Sequence, residues 1–176
     1  MKVEASQRAS DRGAESADAV ESVVHPRVLV LEGASRVGGG QKVTLDIARR
    51  LRERASFEVA VPGPGALESA LDRAGIESHS ISYPAPSGRF GVLDRVSYLP
   101  RGLVSLRSLV SLIRETNPDL IYATSRTALW AAIAGRITGT PVMVHLHMIP
   151  PTGKTAWFLS RVCSMRSVKR VLVASS

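Results

Sequence analysis

The feature that most constrains the fold of this 176-residue chain is a regular alternation of short apolar runs and segments of helical length. Six runs have the apolar, β-branched composition of strands, and five longer segments between them have the composition of helices. Most runs are apolar at consecutive positions, as expected for parallel strands that helices cover on both faces. The predicted strands are residues 27–33, 57–63, 77–83, 119–125, 142–148 and 170–176, and the predicted helices are about 40–54, 65–74, 102–116, 126–137 and 156–167.

Alternation of this kind requires right-handed crossovers between parallel strands. It predicts an α/β fold, a Rossmann-like doubly wound parallel sheet of about six strands. Residues 25–176 are enough for a single domain and too few for two of ordinary size. Because residues 170–176 have the pattern of a strand that no helix follows, we expect the architecture to be truncated after this last strand.

Residue patterns in three places predict local features. In the first helix Val43, Ile47 and Leu51 recur every four residues, which predicts one buried stripe. Residues 84–101 mix Pro, Gly, Arg and aromatic residues, and we expect a long irregular connection there. The third helix should stop at Asn117-Pro118, since a proline disfavours helical geometry at the residue before it.

The first 24 residues differ in composition from the rest of the chain. They are rich in Ala, Ser, Glu and Asp without periodicity, and we predict that residues 1–24 form a disordered leader. The leader lacks the apolar centre of a secretory signal, and no run approaches the roughly 18 apolar residues of a membrane span. Cys163 is the only cysteine, which fits a reducing compartment. We therefore expect a cytoplasmic protein.

The chain is basic, with 23 Lys and Arg, 15 Asp and Glu and a net charge of +8. The leader holds three basic and five acidic residues, so residues 25–176 carry about +10. Such a surface favours anionic partners, whether nucleic acid, anionic lipid or phosphorylated small molecules. Solvated arginines on helix faces would give the same composition, and charge alone does not separate these cases.

A loop of three consecutive glycines, Gly38, Gly39 and Gly40, joins the first strand to the first helix. The dinucleotide fingerprint G-x-G-x-x-G would require a third glycine where Val43 stands, and the second strand does not end in an acidic residue. The helix N-terminus offers unpaired N–H groups and a partial positive charge to an anion. The loop therefore predicts either a phosphate-binding site or a flexible turn without a ligand.

A second phosphate-binding pattern, Gly153-Lys154-Thr155, stands between a strand and a helix. A P-loop would also need a small residue where Met148 stands. Two prolines in this loop remove amide donors. We therefore interpret Lys154 as a solvated loop lysine.

The segment "GGGQKVTLDIARRL", residues 38–51, resembles the glycosyltransferase family 4 N-terminal domain, which belongs to two-domain enzymes of the GT-B type. The family pattern is roughly Gly-Gly-Ala-Glu-Arg-Val, then Leu-Ala, then Leu. Gly38 and Gly39 match its glycines, Gly40 stands at the alanine, and Gln41 replaces the common glutamate.

Two further blocks extend the resemblance over residues 27–176. Residues 117–150 are similar to the family's order of Pro-Asp, strand, polar turn, alanine-rich helix, Gly-x-Pro-Val and a strand ending in His, with His147 at the family's histidine. The segment "VKRVLVASS", residues 168–176, resembles the last strand of the family's N-terminal domain.

This resemblance implies the acceptor-side domain of a retaining glycosyltransferase, which moves a sugar from a nucleotide-sugar donor to a lipid, glycan or small-molecule acceptor. It implies that Gly38–Gln41 face the donor's diphosphate and that His147 lies near the transferred sugar. It also implies a C-terminal donor-binding domain that this chain lacks, so the chain alone should be inactive. The nucleotide sugar is then a substrate, and no cofactor or bound metal is expected.

The residues themselves support a site at the carboxyl end of the sheet, where ligands gather in this architecture. His145 and His147 are two residues apart on one strand and should point to the same face. His147 lies at the strand's end, whereas His145 lies deeper and is expected to be a packed core histidine. Ser125 and Arg126 end the neighbouring strand and could reach the same cleft, although Ser125 could instead cap a helix. The other histidines are scattered, and no metal cluster is expected.

Three other functions remain open from the sequence. The chain could be a non-catalytic nucleotide- or anion-binding module, one half of a split glycosyltransferase, or a regulatory domain that uses its basic surface. Residues 89–114 mix five arginines with aromatic residues and leucines, which favours contact with an anionic membrane surface. The same segment also fits a core helix with a solvated arginine face. No nucleic-acid partner is expected.

Overall fold

The computed structural model describes residues 25–83, 92–147 and 153–173, which form a six-stranded parallel sheet with helices on both faces. The predicted leader, residues 1–24, lies outside the described residues. The strands are β1 (Arg27–Leu31), β2 (Ser56–Val61), β3 (Glu77–Ser80), β4 (Leu120–Thr124), β5 (Val142–Leu146) and β6 (Val168–Val173). The helices are α1 (Gly39–Leu51), α2 (Ala66–Asp72), α3 (Val92–Thr116), α4 (Ala128–Thr138) and α5 (Lys154–Cys163).

The strand order is β3-β2-β1-β4-β5-β6, and every adjacent pair is parallel. This order confirms the predicted Rossmann-like, doubly wound α/β fold. The order reverses between β1 and β4, and ligands of such sheets bind outside the carboxyl ends of the strands at that reversal. The loops that follow β1 and β4 are therefore where a ligand site is expected.

The core has two layers, one on each face of the sheet. Alternate residues of each strand point to opposite faces, so every central strand contributes to both layers. Leu29, Leu31 and Ile121 pack on one face with α3 and α4, and Val30 and Val59 pack on the other with α1 and α2. Each fully buried Leu, Ile or Val side chain stabilises the fold by about 1.5–3 kcal/mol. The sheet is thus held from both sides, as the apolar runs in the sequence predict.

The predicted buried stripe of α1 is wrong. Val43 is 40% exposed and Leu51 is 39% exposed, while Ile47 is only partly buried. The buried residues of α1 are Thr44, Leu45 and Ala48.

The rotation of α1 is explained by hydrogen bonds at its first turns. Glu32, directly after β1, accepts hydrogen bonds from the Gln41 amide at 2.9 Å and from the Thr44 hydroxyl at 2.5 Å. These bonds turn the helix face that carries residues 41, 44 and 48 toward the sheet. A polar anchor therefore decides which face is buried, and the apolar spacing alone gave the wrong face.

Helix α3 begins at Val92, so the expected irregular connection over residues 84–101 is wrong for residues 92–101; residues 84–91 lie outside the described part. Pro100 lies inside this helix and Gly102 follows it. A Cβ on Gly102 would lie 2.5 Å from Cη2 of Trp130. Gly102 thus allows α3 to pack closely on the α4 residue Trp130. Pro100, which we expected in an irregular connection, therefore lies in a helix next to a close helix–helix contact.

The predicted end of the third helix is confirmed. Helix α3 ends at Thr116, and Asn117 follows with a positive φ of 44° and an N–H that donates to the carbonyl of Ile113. Helix α4 ends at Thr138 and is capped by Gly139, whose φ is +80°. Left-handed residues of this kind close helix C-termini. Within the described residues, no helix has both the length and the apolarity needed to cross a membrane.

Candidate functional site

The glycine loop enters α1 at the carboxyl edge of the sheet. Gly38 is the N-cap of α1, and the first intrahelical bond runs from the N–H of Lys42 to the carbonyl of Gly38 at 3.0 Å. The preceding N–H groups of a helix have no intrahelical acceptor; here they belong to Gly39, Gly40 and Gln41. A helix N-terminus with small residues is suited to an anion, because the amides carry partial positive charge and a ligand can approach the backbone.

Glu32 and Gln41 hold this loop in place. Glu32 is completely buried, although it carries a carboxylate. The Gln41 side chain bridges it to the loop, since its Nε2 donates to Glu32 at 2.9 Å and its Oε1 accepts from the N–H of Gly38 at 3.1 Å. Buried polar groups are costly unless they are hydrogen-bonded. The loop is therefore fixed to the end of β1 by a satisfied polar network.

His147 lies directly after β5 and packs against the glycine loop. A Cβ on Gly40 would lie 3.0 Å from both Cδ2 and Nε2 of the His147 ring. The Nε2 atom is shielded from solvent and has no hydrogen-bond partner among the described residues. An unsatisfied buried polar atom is uncommon in proteins and often marks a functional position. The imidazole thus meets the start of α1 with one nitrogen available.

His145 lies beside His147, as their spacing predicts. Their ring centroids are 4.2 Å apart, and His145 is partly buried, so the expectation of a core histidine holds only in part. Nδ1 of His145 is hydrogen-bonded to the hydroxyl of Tyr122. Burial, and secondarily the charge of His147, lower the pKa of His145. Burial, and secondarily the carboxylate of Glu32, raise the pKa of Tyr122 to about 12.

These pKa shifts keep both groups of the pair neutral at neutral pH. The phenol and Nδ1 then share one hydrogen bond, whose donor is set by the tautomer of His145. The side chains of Glu32, Tyr122, His145 and His147 form a row across the ends of β1, β4 and β5.

Ser125 and Arg126 both lie at this edge, in different roles. The Ser125 hydroxyl donates to the carbonyl of His145 at 3.4 Å and accepts from the N–H of His147 at 3.3 Å, which extends the β4–β5 pairing. The alternative capping role is wrong, because the N-cap of α4 is Thr127. Arg126 is exposed and passes over the loop after β1, since a Cβ on Gly33 would lie 2.6 Å from the Arg126 Cβ.

The structure therefore brings the predicted site residues to one edge of the sheet, and a substrate role for each of them stays a prediction. Sequence reasoning missed Glu32 and Tyr122. The signal for Glu32 was an acidic residue directly after an apolar strand. Met148 and the prolines of the rejected P-loop lie outside the described residues. No metal cluster was expected, yet Glu58, Glu77 and His79 come together on β2 and the edge strand β3.

A family model described as a glycosyl transferase 4-like domain matches residues 38–175. The chain belongs to this family. It is 28% identical over 149 residues to the UDP-N-acetylglucosamine–N-acetylmuramyl-(pentapeptide) pyrophosphoryl-undecaprenol N-acetylglucosamine transferase of Trichodesmium erythraeum. That alignment covers 84% of this chain and 39% of the relative.

Solved structures show the same glycosyltransferase architecture. HepE of Anabaena, crystallised with UDP and glucose, matches with a TM-score of 0.63 and 25% identity over 84% of this chain and 37% of HepE. MurG of Acinetobacter baumannii matches in fold with a TM-score of 0.63 and 20% identity over 86% of this chain and 42% of MurG. The chain spans about two-fifths of the length of these relatives. The predicted resemblance to the N-terminal domain of a GT-B glycosyltransferase is confirmed.

Proposed function

We propose that this domain is the acceptor-side half of a retaining glycosyltransferase that uses a nucleotide-sugar donor. The observation that carries the proposal is the contact between Gly40 and His147, which places a free ring nitrogen against the first amides of α1. This meeting point lies at the carboxyl edge of the sheet, where the strand order reverses between β1 and β4. HepE, which shares the fold, was crystallised with UDP and glucose.

The amides of Gly39, Gly40 and Gln41 are suited to the donor's diphosphate. Glycosyl transfer builds negative charge on the departing nucleotide diphosphate, and fixed amide dipoles stabilise such charge with little reorganisation. The bond from Gln41 to Glu32 keeps these dipoles in position before the donor arrives. Arg126 lies beside the loop after β1 and can add a positive charge at the rim of the cleft.

His147 supports the transferred sugar in this proposal. Its Nε2 has no partner among the described residues, so a sugar hydroxyl or a phosphate oxygen could satisfy it. The ring of His145 packs beside that of His147, and the backbone N–H of His147 donates to the Ser125 hydroxyl, so both contacts hold His147 in place. The side chain therefore contributes a positioned hydrogen bond, and the sugar is transferred between the two substrates.

A second domain completes the site in this proposal. The domain described here offers amides, one imidazole and one arginine, and its relatives are more than twice its length. We propose that the nucleotide is held chiefly by that second domain and that the chain alone is inactive. The acceptor, whether lipid, glycan or small molecule, would bind on the side of the cleft built here.

Contact with a membrane surface is part of the same proposal. On α3, Leu103 is 66% exposed and Val104 is 68% exposed, and the arginines at positions 101 and 107 are exposed close by. Apolar side chains flanked by arginines favour the interface of an anionic bilayer. Binding to vesicles with and without anionic lipid, compared between the chain and its Leu103→Ser variant, tests this part.

The proposed donor site is tested by NMR titration of the ¹⁵N-labelled 176-residue chain with UDP-glucose. We expect weak binding, with a Kd above about 1 mM, and shifts at the amides of Gly39 and Gly40 and the ring of His147. Tight binding at a stoichiometry of one would favour a stand-alone nucleotide-binding module. Shifts elsewhere on the chain, with the glycine loop unaffected, would contradict the diphosphate role.

A further inference from the structure

Three potential metal ligands meet on β2 and β3, on the face of the sheet opposite α1. Nε2 of His79 lies 2.8 Å from Oε2 of Glu58 and 3.9 Å from Oε1 of Glu77. One ligand atom from each of the three residues lies within 4.8 Å of the other two. The side chains of Glu58 and His79 are only 21% and 23% exposed, so the neighbouring structure restricts their positions.

The register of the sheet produces this arrangement. Glu58 is paired with Glu77, and Ala60 is paired with His79. Residues two apart on a strand point to the same face, as do paired residues of neighbouring strands. The three side chains therefore converge on one face because of the backbone. Their relative positions are set by the pairing of β2 with β3 and do not depend on a loop.

The ligand chemistry indicates which ion the cluster would take. Imidazole and carboxylate groups both bind zinc, and the catalytic class of zinc sites uses three protein ligands with water in the fourth position. Zinc–ligand bonds of about 2.0–2.2 Å in a tetrahedron separate the ligand atoms by roughly 3.3–3.6 Å. The present separations of 2.8 and 3.9 Å lie on either side of that value. Small rotations of the Glu58 and Glu77 carboxylates would bring all three ligand atoms to zinc-binding distances.

We propose that Glu58, Glu77 and His79 form a zinc-binding site that joins the edge strand β3 to β2. Arg27 does not block it, since its Nη2 lies 3.6 Å from the other oxygen of Glu58 and its side chain is 48% exposed. The proposal is independent of glycosyl transfer, because the cluster lies on the opposite face of the sheet from α1 and shares no residue with the candidate donor site. Its effect would be to stabilise the edge of the sheet.

The test is calorimetric titration of the metal-free 176-residue chain with zinc chloride, together with thermal unfolding. We expect one zinc ion per chain, and zinc at about 100 times its Kd should raise the Tm by roughly 5–10 °C. Cobalt should bind in place of zinc and give the intense visible absorption of a tetrahedral site. No saturable zinc binding up to millimolar concentrations would overturn the proposal.

The variants identify the ligands. Glu77→Gln is the main variant, because Glu77 is 71% exposed and its loss should leave the fold intact; we expect zinc affinity to fall more than about 10-fold, as metal affinity depends strongly on its ligands. His79→Ala should abolish binding. His147→Ala is the matched control, since it removes a histidine that lies outside the cluster, and it should leave zinc binding unchanged. Binding lost in His147→Ala and retained in His79→Ala would overturn the proposal.

Discussion

The imidazole of His147 packs directly on the backbone of Gly40, so closely that a Cβ at position 40 would lie 3.0 Å from the ring. The end of β5 and the start of α1 therefore meet with no side chain between them. The Nε2 atom of the histidine, which has no hydrogen-bond partner among the described residues, lies against Gly40 in the first turn of α1. This contact joins the two motifs that carry the family resemblance, and it gives the first prediction.

Gly40→Ala should displace the His147 ring, whereas Gly39→Ala should not. A Cβ on Gly39 meets no atom within 4 Å, so that change should stabilise the fold by about 0.4–1 kcal/mol through the unfolded state. At Gly40 the same gain is opposed by the contact with the imidazole. Urea unfolding and the NMR shifts of the His147 ring measure both effects. Equal stabilisation by the two variants, with unchanged ring shifts, would contradict the contact.

Gln41→Glu should destabilise the fold at neutral pH. The introduced carboxylate would lie against buried Glu32, and like charges in a buried site are unfavourable. It would also lose the amide donor, and we expect a cost of about 1–3 kcal/mol. The pKa of the introduced carboxyl would be raised above its unfolded value, so the cost should grow as pH rises through that range. Urea unfolding from pH 4 to pH 8 measures this trend.

The matched control for that prediction is Val43→Glu. It makes the same charge change two residues away, on the outer side of α1 where Val43 is 40% exposed. We expect a smaller loss of stability, without the increase toward neutral pH. If both variants behaved alike, general repulsion in an acidified helix would explain the result and the role of Glu32 would be rejected.

His145 should make stability depend on pH below neutrality. Its pKa in the folded chain is lowered, first by burial and then by His147. The unfolded chain, with an ordinary histidine pKa of about 6.5, then binds more protons than the folded one. The stabilisation is therefore present above pH 6.5 and is lost as pH falls through the lowered pKa. His145→Asn should flatten the curve of unfolding free energy between pH 8 and pH 5, and an unchanged slope would contradict this assignment.

Gly102→Ala should destabilise the packing of α3 on α4. In an open helix this substitution would stabilise by about 0.5–1 kcal/mol. Here the Cβ would lie 2.5 Å from Cη2 of Trp130, and overpacking of this kind costs about 1–3 kcal/mol. Ser111→Ala, at an exposed position of the same helix, is the control and should change stability little. Thermal unfolding compares the two; a more stable Gly102→Ala variant would show that the helices separate freely.

The elements of the fold could be predicted because their signals are local. Most strands are short apolar runs, although β3 (ESHS) is polar, and Asn117-Pro118 ends α3 by its own backbone preferences. The failures are non-local. The rotation of α1 depends on the Glu32–Thr44 bond, and the persistence of α3 through Pro100 accompanies the fit of Gly102 to a tryptophan in another helix.

In the candidate site, too, the features with local sequence signals could be predicted and the features that depend on distant residues could not. The histidine spacing and the glycine loop are visible in the sequence because each lies within one short segment. Glu32 was missed because its partners are nine and twelve positions away, in a helix whose rotation was wrongly predicted. The cluster of Glu58, Glu77 and His79 was missed because it depends on the register between β2 and β3. Strand register is a property of the assembled sheet.

Ser125 and Arg126, adjacent in sequence, should have separable effects. The Ser125 hydroxyl links the backbones of His145 and His147, so Ser125→Ala should lower stability by about 0.5–1.5 kcal/mol and loosen His147. Arg126 is exposed, and Arg126→Gln should leave the unfolding free energy within about 0.5 kcal/mol of the parent.

If Arg126 contributes charge at the cleft, Arg126→Gln should instead weaken the NMR-detected binding of UDP-glucose, and more so at low ionic strength, because salt screens an exposed charge. Ser125→Ala should alter the shifts of His147 before any ligand is added. An Arg126→Gln variant that bound UDP-glucose as the parent does, at every salt concentration, would remove Arg126 from the donor site. The stability result for Ser125 would stand by itself, since it depends only on the two backbone bonds.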